Sequence, residues 1–215
     1  MKPLVERLSR VEAMPKTQRR LLIAATVGVI VAVAVTAGVV WGGSGPALPA
    51  DEADTYVTAP GCASVPDAAV DSVIPSAELE TNEHGVLDDA DNAVCAWTSV
   101  GAEGEAPRSL RVDFTAYFTD KADAASGAQT AAEQVSQVSS VSALEGAAPA
   151  PSLGEDALVW PSSVGDAWAE AVFRRSNMVV RVYYGGNEDT GGDGLSYEAA
   201  RDGAVSVAEQ VAEEL

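Results

Sequence analysis

Histidine, cysteine and lysine are all scarce in this chain, with one histidine, two cysteines and three lysines in 215 residues. A zinc site needs several His or Cys ligands, which this chain lacks if its two cysteines form a disulfide. A nucleophilic triad would have to use His84, which lies in the polar stretch 83–85 and is expected to be a solvated loop residue. The sequence therefore predicts no catalytic residue, no metal site and no cofactor.

Basic residues are also unevenly placed along the chain. Residues 1–20 carry six bases against two acids, a net charge of +4, whereas the rest carries seven bases against thirty acids, a net charge of −23. A domain this acidic does not bind nucleic acid by neutralising phosphates, and its charge favours solubility.

Charge is absent altogether from Leu21–Trp41, a run of 21 residues. An apolar helix of this length covers the roughly 30 Å hydrocarbon core of a bilayer. Bases gathered on one side of a span mark the cytoplasmic side, so the N-terminus is expected inside the cell and the C-terminal domain outside it. The run is longer than the apolar core of a signal peptide, which favours an uncleaved anchor, although cleavage near Ala47–Ala50 stays open.

The span divides the chain into four predicted parts. These are a cytoplasmic tail at 1–20, a transmembrane helix at 21–41, a flexible Gly/Pro-rich linker at 42–58, and an extracytoplasmic domain at 59–215. Within the span, Ala24, Gly28, Ala32 and Thr36 recur at intervals of four. Small residues at this spacing let two helices approach closely, so a homodimer through the span is one hypothesis.

Both cysteines, Cys62 and Cys95, lie beyond the span. Because an outside compartment is oxidising, an even count favours a disulfide between them, with two reduced and buried thiols as the alternative. Two acidic clusters, at 88–92 and 187–193, lack the pattern of a twelve-residue calcium loop and are expected to be acidic loop tips.

Hydrophobic periodicity predicts class α+β, an antiparallel sheet of about five strands with helices packed on it. Ser76–Asp91 is expected to be polar and irregular. Ser176 and Asn177 are expected to form a hairpin turn, and Ser196 to cap the last helix. The predicted helices are 67–73, about 120–141 and a last one after Ser196, and the predicted strands are 92–100, 108–118, 157–160, 167–175 and 178–184.

The alternation of side chains along the strands predicts that several arginines and aromatic residues lie on one face of the sheet. If Leu110, Val112 and Phe114 face the core, the alternate residues of the same strand face away. Exposed aromatic and Arg side chains are typical of binding surfaces, whereas pairing of these arginines with Asp113 and Glu170 would make the same face an ordinary solvated one. The residues of this candidate binding face are Arg111, Tyr117, Trp168, Arg174, Arg181 and Tyr183.

Several short motifs accompany this pattern: Cys62 before a helix, Cys95-Ala96-Trp97 in a strand, the LGEDA run at 153–157, and the hairpin 172–186 with Arg174 and Asn177 around its turn. In these features the chain resembles the secreted or membrane-anchored envelope domains of actinobacteria, many of them lipoproteins, grouped as a domain of unknown function. The resemblance implies a paired-cysteine envelope domain but no activity. This chain departs from the lipoproteins by having an apolar span in place of a lipidated Cys.

The leading hypothesis is a single-pass cell-membrane protein with a non-catalytic extracytoplasmic domain that binds an envelope protein or an anionic envelope ligand. One alternative is a carboxylate-dependent hydrolase acting on cell-wall material. Another is a structural subunit of a membrane complex, in which the span forms the essential contact.

Overall fold

The computed structural model describes residues 48–99, 107–122, 124–140, 146–154, 156–163, 165–187 and 194–215, which belong to one compact unit. The tail and the apolar run at 21–41 lie outside the described residues. Among the residues that are described, no helix is both long enough and apolar enough to cross a bilayer.

The described chain forms an antiparallel sheet with three α-helices, which confirms class α+β. A single 3₁₀ turn at Cys62–Ser64 precedes the first helix. The helices are α1 (Asp67–Val73), α2 (Gly127–Ser140) and α3 (Tyr197–Glu214), and the strands are β1 (Glu78–Val86), β2 (Ala90–Thr98), β3 (Arg108–Tyr117), β4 (Ala148–Pro149), β5 (Leu158–Pro161), β6 (Trp168–Arg175) and β7 (Met178–Gly186).

The sheet has seven strands in the order β1-β2-β3-β7-β6-β5-β4, so the prediction of about five strands was wrong. The two missed strands are the two edges. Nearly every residue of β1 is exposed, so its sequence shows no alternation of polar and apolar residues. For this reason Ser76–Asp91 was expected to be irregular. The other missed strand, β4, has only two residues.

The main core lies between one sheet face and helices α1 and α3. Leu110, Val112 and Phe114 of β3 are fully buried there, as their alternation predicts. The last helix begins where Ser196 accepts a hydrogen bond from the N–H of Ala199, which confirms the predicted cap. Its apolar stripe is fully buried and consists of Ala200, Ala204, Val207 and Val211.

Helix α2 packs on the opposite sheet face over a second, smaller core. It begins at Gly127 rather than near residue 120, because residues 120 and 125 bridge each other in a turn before it. A Cβ at Gly127 would lie 2.2 Å from the carbonyl oxygen of Tyr117, so the helix can start this close to β3 only with glycine. The second core consists of Ala131, Val135, Trp160, Val172 and Val179.

The segment 48–58 belongs to the same compact unit as the sheet and the helices. Two buried polar side chains hold it, Asn177 from the turn between β6 and β7 and Asp54 from the segment itself. Asn177 accepts from the N–H of Tyr56 at 2.9 Å and donates to its carbonyl at 2.9 Å. Asp54, itself buried, accepts from the N–H of Thr119 at 3.0 Å and from its hydroxyl at 2.7 Å.

Candidate functional site

The predicted face lies on the sheet side that carries α2. Cross-strand pairing aligns Arg111 of β3 with Tyr183 of β7, and Tyr183 in turn with Glu170 of β6. The next row aligns Asp113 with Arg181. A third row aligns Ser109 with Gly185 and Gly185 with Trp168. Together the three rows place four of the six candidate residues close together on the middle strands: Arg111, Trp168, Arg181 and Tyr183.

Helix α2 packs on the adjoining part of this face, and the alternation of the strands does not indicate this cover. Val172 and Val179 are buried beneath it, and Tyr117 is half-buried against the same cluster. Arg174 lies two residues beyond Val172 on β6 and binds Asp156, with 2.8 Å between Nη2 and Oδ2. The candidate face is thus split. The part of this sheet face that no described helix covers is called the open patch, and it consists of Arg111, Asp113, Trp168, Glu170, Arg181 and Tyr183.

Arg111 is fixed by two neighbours. Its Nε lies 2.7 Å and its Nη2 2.8 Å from the two carboxylate oxygens of Asp113, a bidentate pair on one strand. Its guanidinium carbon lies 5.7 Å from the ring centroid of Tyr183, within cation–π range. This pairing leaves the Arg111 side chain half-exposed but holds it in one orientation.

Glu170 is the buried acid of the patch, with 9% of its surface exposed. Burial raises the pKa of Glu170 above its ordinary value, and Arg181 opposes that shift. The Arg181 Nη1 lies 3.7 Å from the Glu170 Oε1, a looser contact than the one between Arg111 and Asp113. Burial likewise raises the pKa of Tyr183. The patch therefore contains two cations and two acids, and each cation already has an acid beside it.

Trp168 lies flat on the sheet because its cross-strand partner is a glycine. A Cβ at Gly185 would lie 2.3 Å from Cδ2 and 2.4 Å from Cγ of the indole. One face of the indole is thus covered by the backbone of Gly185, and the side chain stays half-exposed. A ring held this way offers a large apolar contact with little conformational freedom to lose.

The two cysteines form a disulfide, Cys62–Cys95, which confirms the predicted pairing over reduced thiols. It ties the 3₁₀ turn to β2. His84 lies on β1, not in a loop, and its Nε2 is 3.0 Å from Oδ2 of Asp91. Within the described ranges, no group of three or more His, Cys, Asp or Glu side chains is placed to hold a metal ion.

The acidic cluster at 88–92 takes part in the fold. The Asp91 carboxylate is buried and accepts the N–H of Ala59 at 2.9 Å. Asn92 donates to the carbonyl oxygen of Phe114 at 2.9 Å. Most of the second cluster, 187–193, lies outside the described residues.

The sequence did not indicate that Asp54, Asp91 and Asn177 are buried and bind backbone groups of distant segments. The sequence predicts Asn177 only as a turn residue, yet it is 1% exposed and also donates to the carbonyl of Tyr117 at 2.8 Å. Its partners are 60 and 121 residues away in sequence, so no local pattern marks them.

No family model, curated protein or solved structure matches this chain.

Proposed function

We propose that this chain is a single-pass membrane protein whose α+β domain lies outside the cytoplasm and binds a protein partner through the open patch. The anchor rests on the uncharged run at 21–41 and on the bases before it. The disulfide suits an oxidising compartment. The envelope of an actinobacterium is the setting that the resemblance to paired-cysteine envelope domains favours.

The observation that carries the binding role is the flat, half-exposed Trp168 beside the fixed pair of Arg111 and Tyr183. Trp, Tyr and Arg are the residues that most often dominate binding energy at protein interfaces. Here all three are held in place by the sheet, which lowers the entropy lost on binding.

Charge pairing favours a protein over a free anion as the ligand. An anionic ligand would have to displace Asp113 from a bidentate contact with Arg111 or Glu170 from the neighbourhood of Arg181. A protein surface can instead pack on the indole and the phenol ring and leave these pairs intact at its rim.

Copurification from cells that produce the full-length chain tests this role. Trp168→Ala and Arg111→Ala are compared with Arg201→Ala, which removes an arginine paired with Asp202 on α3, at the other side of the sheet. We expect the recovered partner to fall at least tenfold with either patch variant and to stay within twofold with Arg201→Ala. Equal recovery from folded patch variants would refute the assignment.

A second candidate function, hydrolysis of wall material, rests on Glu170. A buried acid with a raised pKa can serve as a general acid, and Asp113 supplies a second carboxylate on the same face. Turnover of purified wall glycan by the full-length protein, lost in Glu170→Gln, would establish this function. Absence of turnover by the wild-type protein would exclude it for that substrate.

A further inference from the structure

The two edges of the sheet are built differently. At one edge β4 has only two residues and ends at Pro149, which has no N–H to donate. Short strands and prolines are ways in which proteins blunt a sheet edge. At the other edge β1 runs for nine residues, and eight of these nine residues are exposed. In the described part of the chain, β1 has a strand neighbour on one side only.

We propose that β1 is a docking edge that takes up an extended, basic segment of a partner protein as an additional strand. An unpaired strand edge offers N–H and C=O groups at every second residue, and an incoming strand gains affinity by pairing with them. This site is independent of the open patch, which lies across β3, β7 and β6.

The edge is held in shape before any partner arrives. The β1–β2 register runs from Glu78 opposite Thr98 to Val86 opposite Asp91, with one irregularity between residues 79 and 81. Asn82 lies opposite Cys95, whose disulfide ties β2 to the 3₁₀ turn. An edge fixed in this way has little conformational freedom left to lose when a strand is added.

The charge of the edge selects the kind of strand that it accepts. Glu78, Glu80 and Glu83 all lie on β1 and are exposed. Residues 21–107 contain no Lys or Arg, and none of these three carboxylates has a cation within ion-pair distance in the described structure. A strand that carries Lys or Arg would supply the missing counter-charges.

The same charges disfavour a second copy of this chain as the occupant. Pairing two β1 edges would bring six glutamates together, and like charges on facing strands are destabilising. The exposed Leu79 and Val86 lie towards opposite ends of β1. They offer apolar contacts to alternate side chains of an added strand.

The test uses the full-length chain in a neutral detergent and a fluorescein-labelled peptide of alternating Lys and Val. Two further peptides separate charge from strand pairing. One has Glu in place of Lys, and the other keeps Lys but is N-methylated at alternate residues, which blocks the backbone hydrogen bonds. We expect anisotropy to report saturable binding of the first peptide, and binding of the other two to be at least tenfold weaker.

Protein variants locate the site. The triple variant Glu78→Gln, Glu80→Gln and Glu83→Gln should weaken binding of the Lys–Val peptide at least tenfold. The matched control, Glu133→Gln with Glu213→Gln and Glu214→Gln, removes three exposed acids from α2 and α3 and should change the affinity less than twofold.

Three results would overturn the proposal. Equal binding of the N-methylated peptide would mean that charge alone attracts the peptide, without strand addition. Absence of saturable binding would mean that the glutamates only protect the edge. Self-association that the triple variant abolishes, seen by sedimentation, would make the occupant a second copy.

Discussion

At the residue scale, the contact between Trp168 and Gly185 sets the shape of the open patch. Glycine is required at position 185 because any Cβ would enter the indole and would also lie 2.7 Å from the carbonyl oxygen of Ala167. The requirement comes from this close approach across the hairpin and not from an unusual backbone angle.

We therefore expect Gly185→Ala to lower the free energy of unfolding by about 1–3 kcal/mol, because the indole must leave its site or the strands must shift. Urea denaturation measures the loss, and intrinsic fluorescence reports exposure of the indole. The matched control is Gly85→Ala on β1, where an added Cβ meets no atom within 4 Å. If both variants unfold at the same urea concentration as the wild type, Trp168 does not rest on Gly185.

Glu170 gives a prediction for pH dependence. Its pKa is raised in the folded state from an ordinary value of 4.5, chiefly by burial, so the folded protein binds the proton more tightly than the unfolded chain does. The stability associated with protonated Glu170 is complete below that ordinary value and is lost as pH rises through the raised pKa.

We expect Glu170→Gln to gain stability relative to the wild type as pH rises from about 4 to about 7, because glutamine cannot ionise in the buried position. Urea denaturation of both proteins at each pH gives the difference in unfolding free energy, from which effects of the other acids largely cancel. A difference that is constant with pH, or that changes in the opposite sense, would contradict the burial of an ionising group.

At the element scale, the segment 48–59 depends on polar side chains of other elements. The Asn177 amide, at the turn between β6 and β7, makes three hydrogen bonds to backbone groups of Tyr56 and Tyr117. If the Asn177 amide is removed, these backbone groups stay buried without a hydrogen-bond partner, which costs free energy because they are also shielded from water.

Asn177→Ala should lower the free energy of unfolding by roughly 2–4 kcal/mol, since several buried backbone groups lose their partner at once. It should also make the segment 48–59 the first site of cleavage in limited proteolysis. Asn82→Ala, at an exposed position on β1, is the comparison variant and should stay close to the wild type. Cleavage that begins elsewhere would show that Asn177 does not hold this segment.

The elements also show which parts of the fold the sequence could predict. β3 and the β6–β7 hairpin could be predicted because one buried face imposes alternation, and α3 because its stripe and Ser196 mark its face and its start. β1 could not, because a strand exposed on both faces has no alternation. The start of α2 could not be predicted either, because it depends on the close approach of Gly127 to the backbone of Tyr117.

The sequence could predict on which side of the sheet the candidate residues lie, but not how much of that side stays uncovered. Alternation within β3, β6 and β7 placed the arginines and aromatics on one side. The sequence of α2 does not indicate which sheet face the helix packs on, so its cover over Val172 and Val179 follows only from tertiary packing.

At the scale of the whole molecule, the proposed function depends on the orientation of the chain in the membrane. The tail carries a net charge of +4 and the remainder −23, and bases near a span stay on the cytoplasmic side. We expect alkaline phosphatase fused after Leu215 to be active in intact cells, because that enzyme matures only in an oxidising compartment. Activity of the reporter fused before Met1 instead would reverse the proposed orientation.

Site-specific photocrosslinking in living cells tests whether the open patch binds a protein. A photoreactive residue replaces Ser109, which lies beside the patch opposite Gly185, or Ser206 on α3 as the control. We predict that position 109 gives one dominant protein adduct and that position 206 does not give this adduct. Adding Trp168→Ala should abolish the adduct from position 109. The same adducts from both positions, or none from position 109, would contradict the claim.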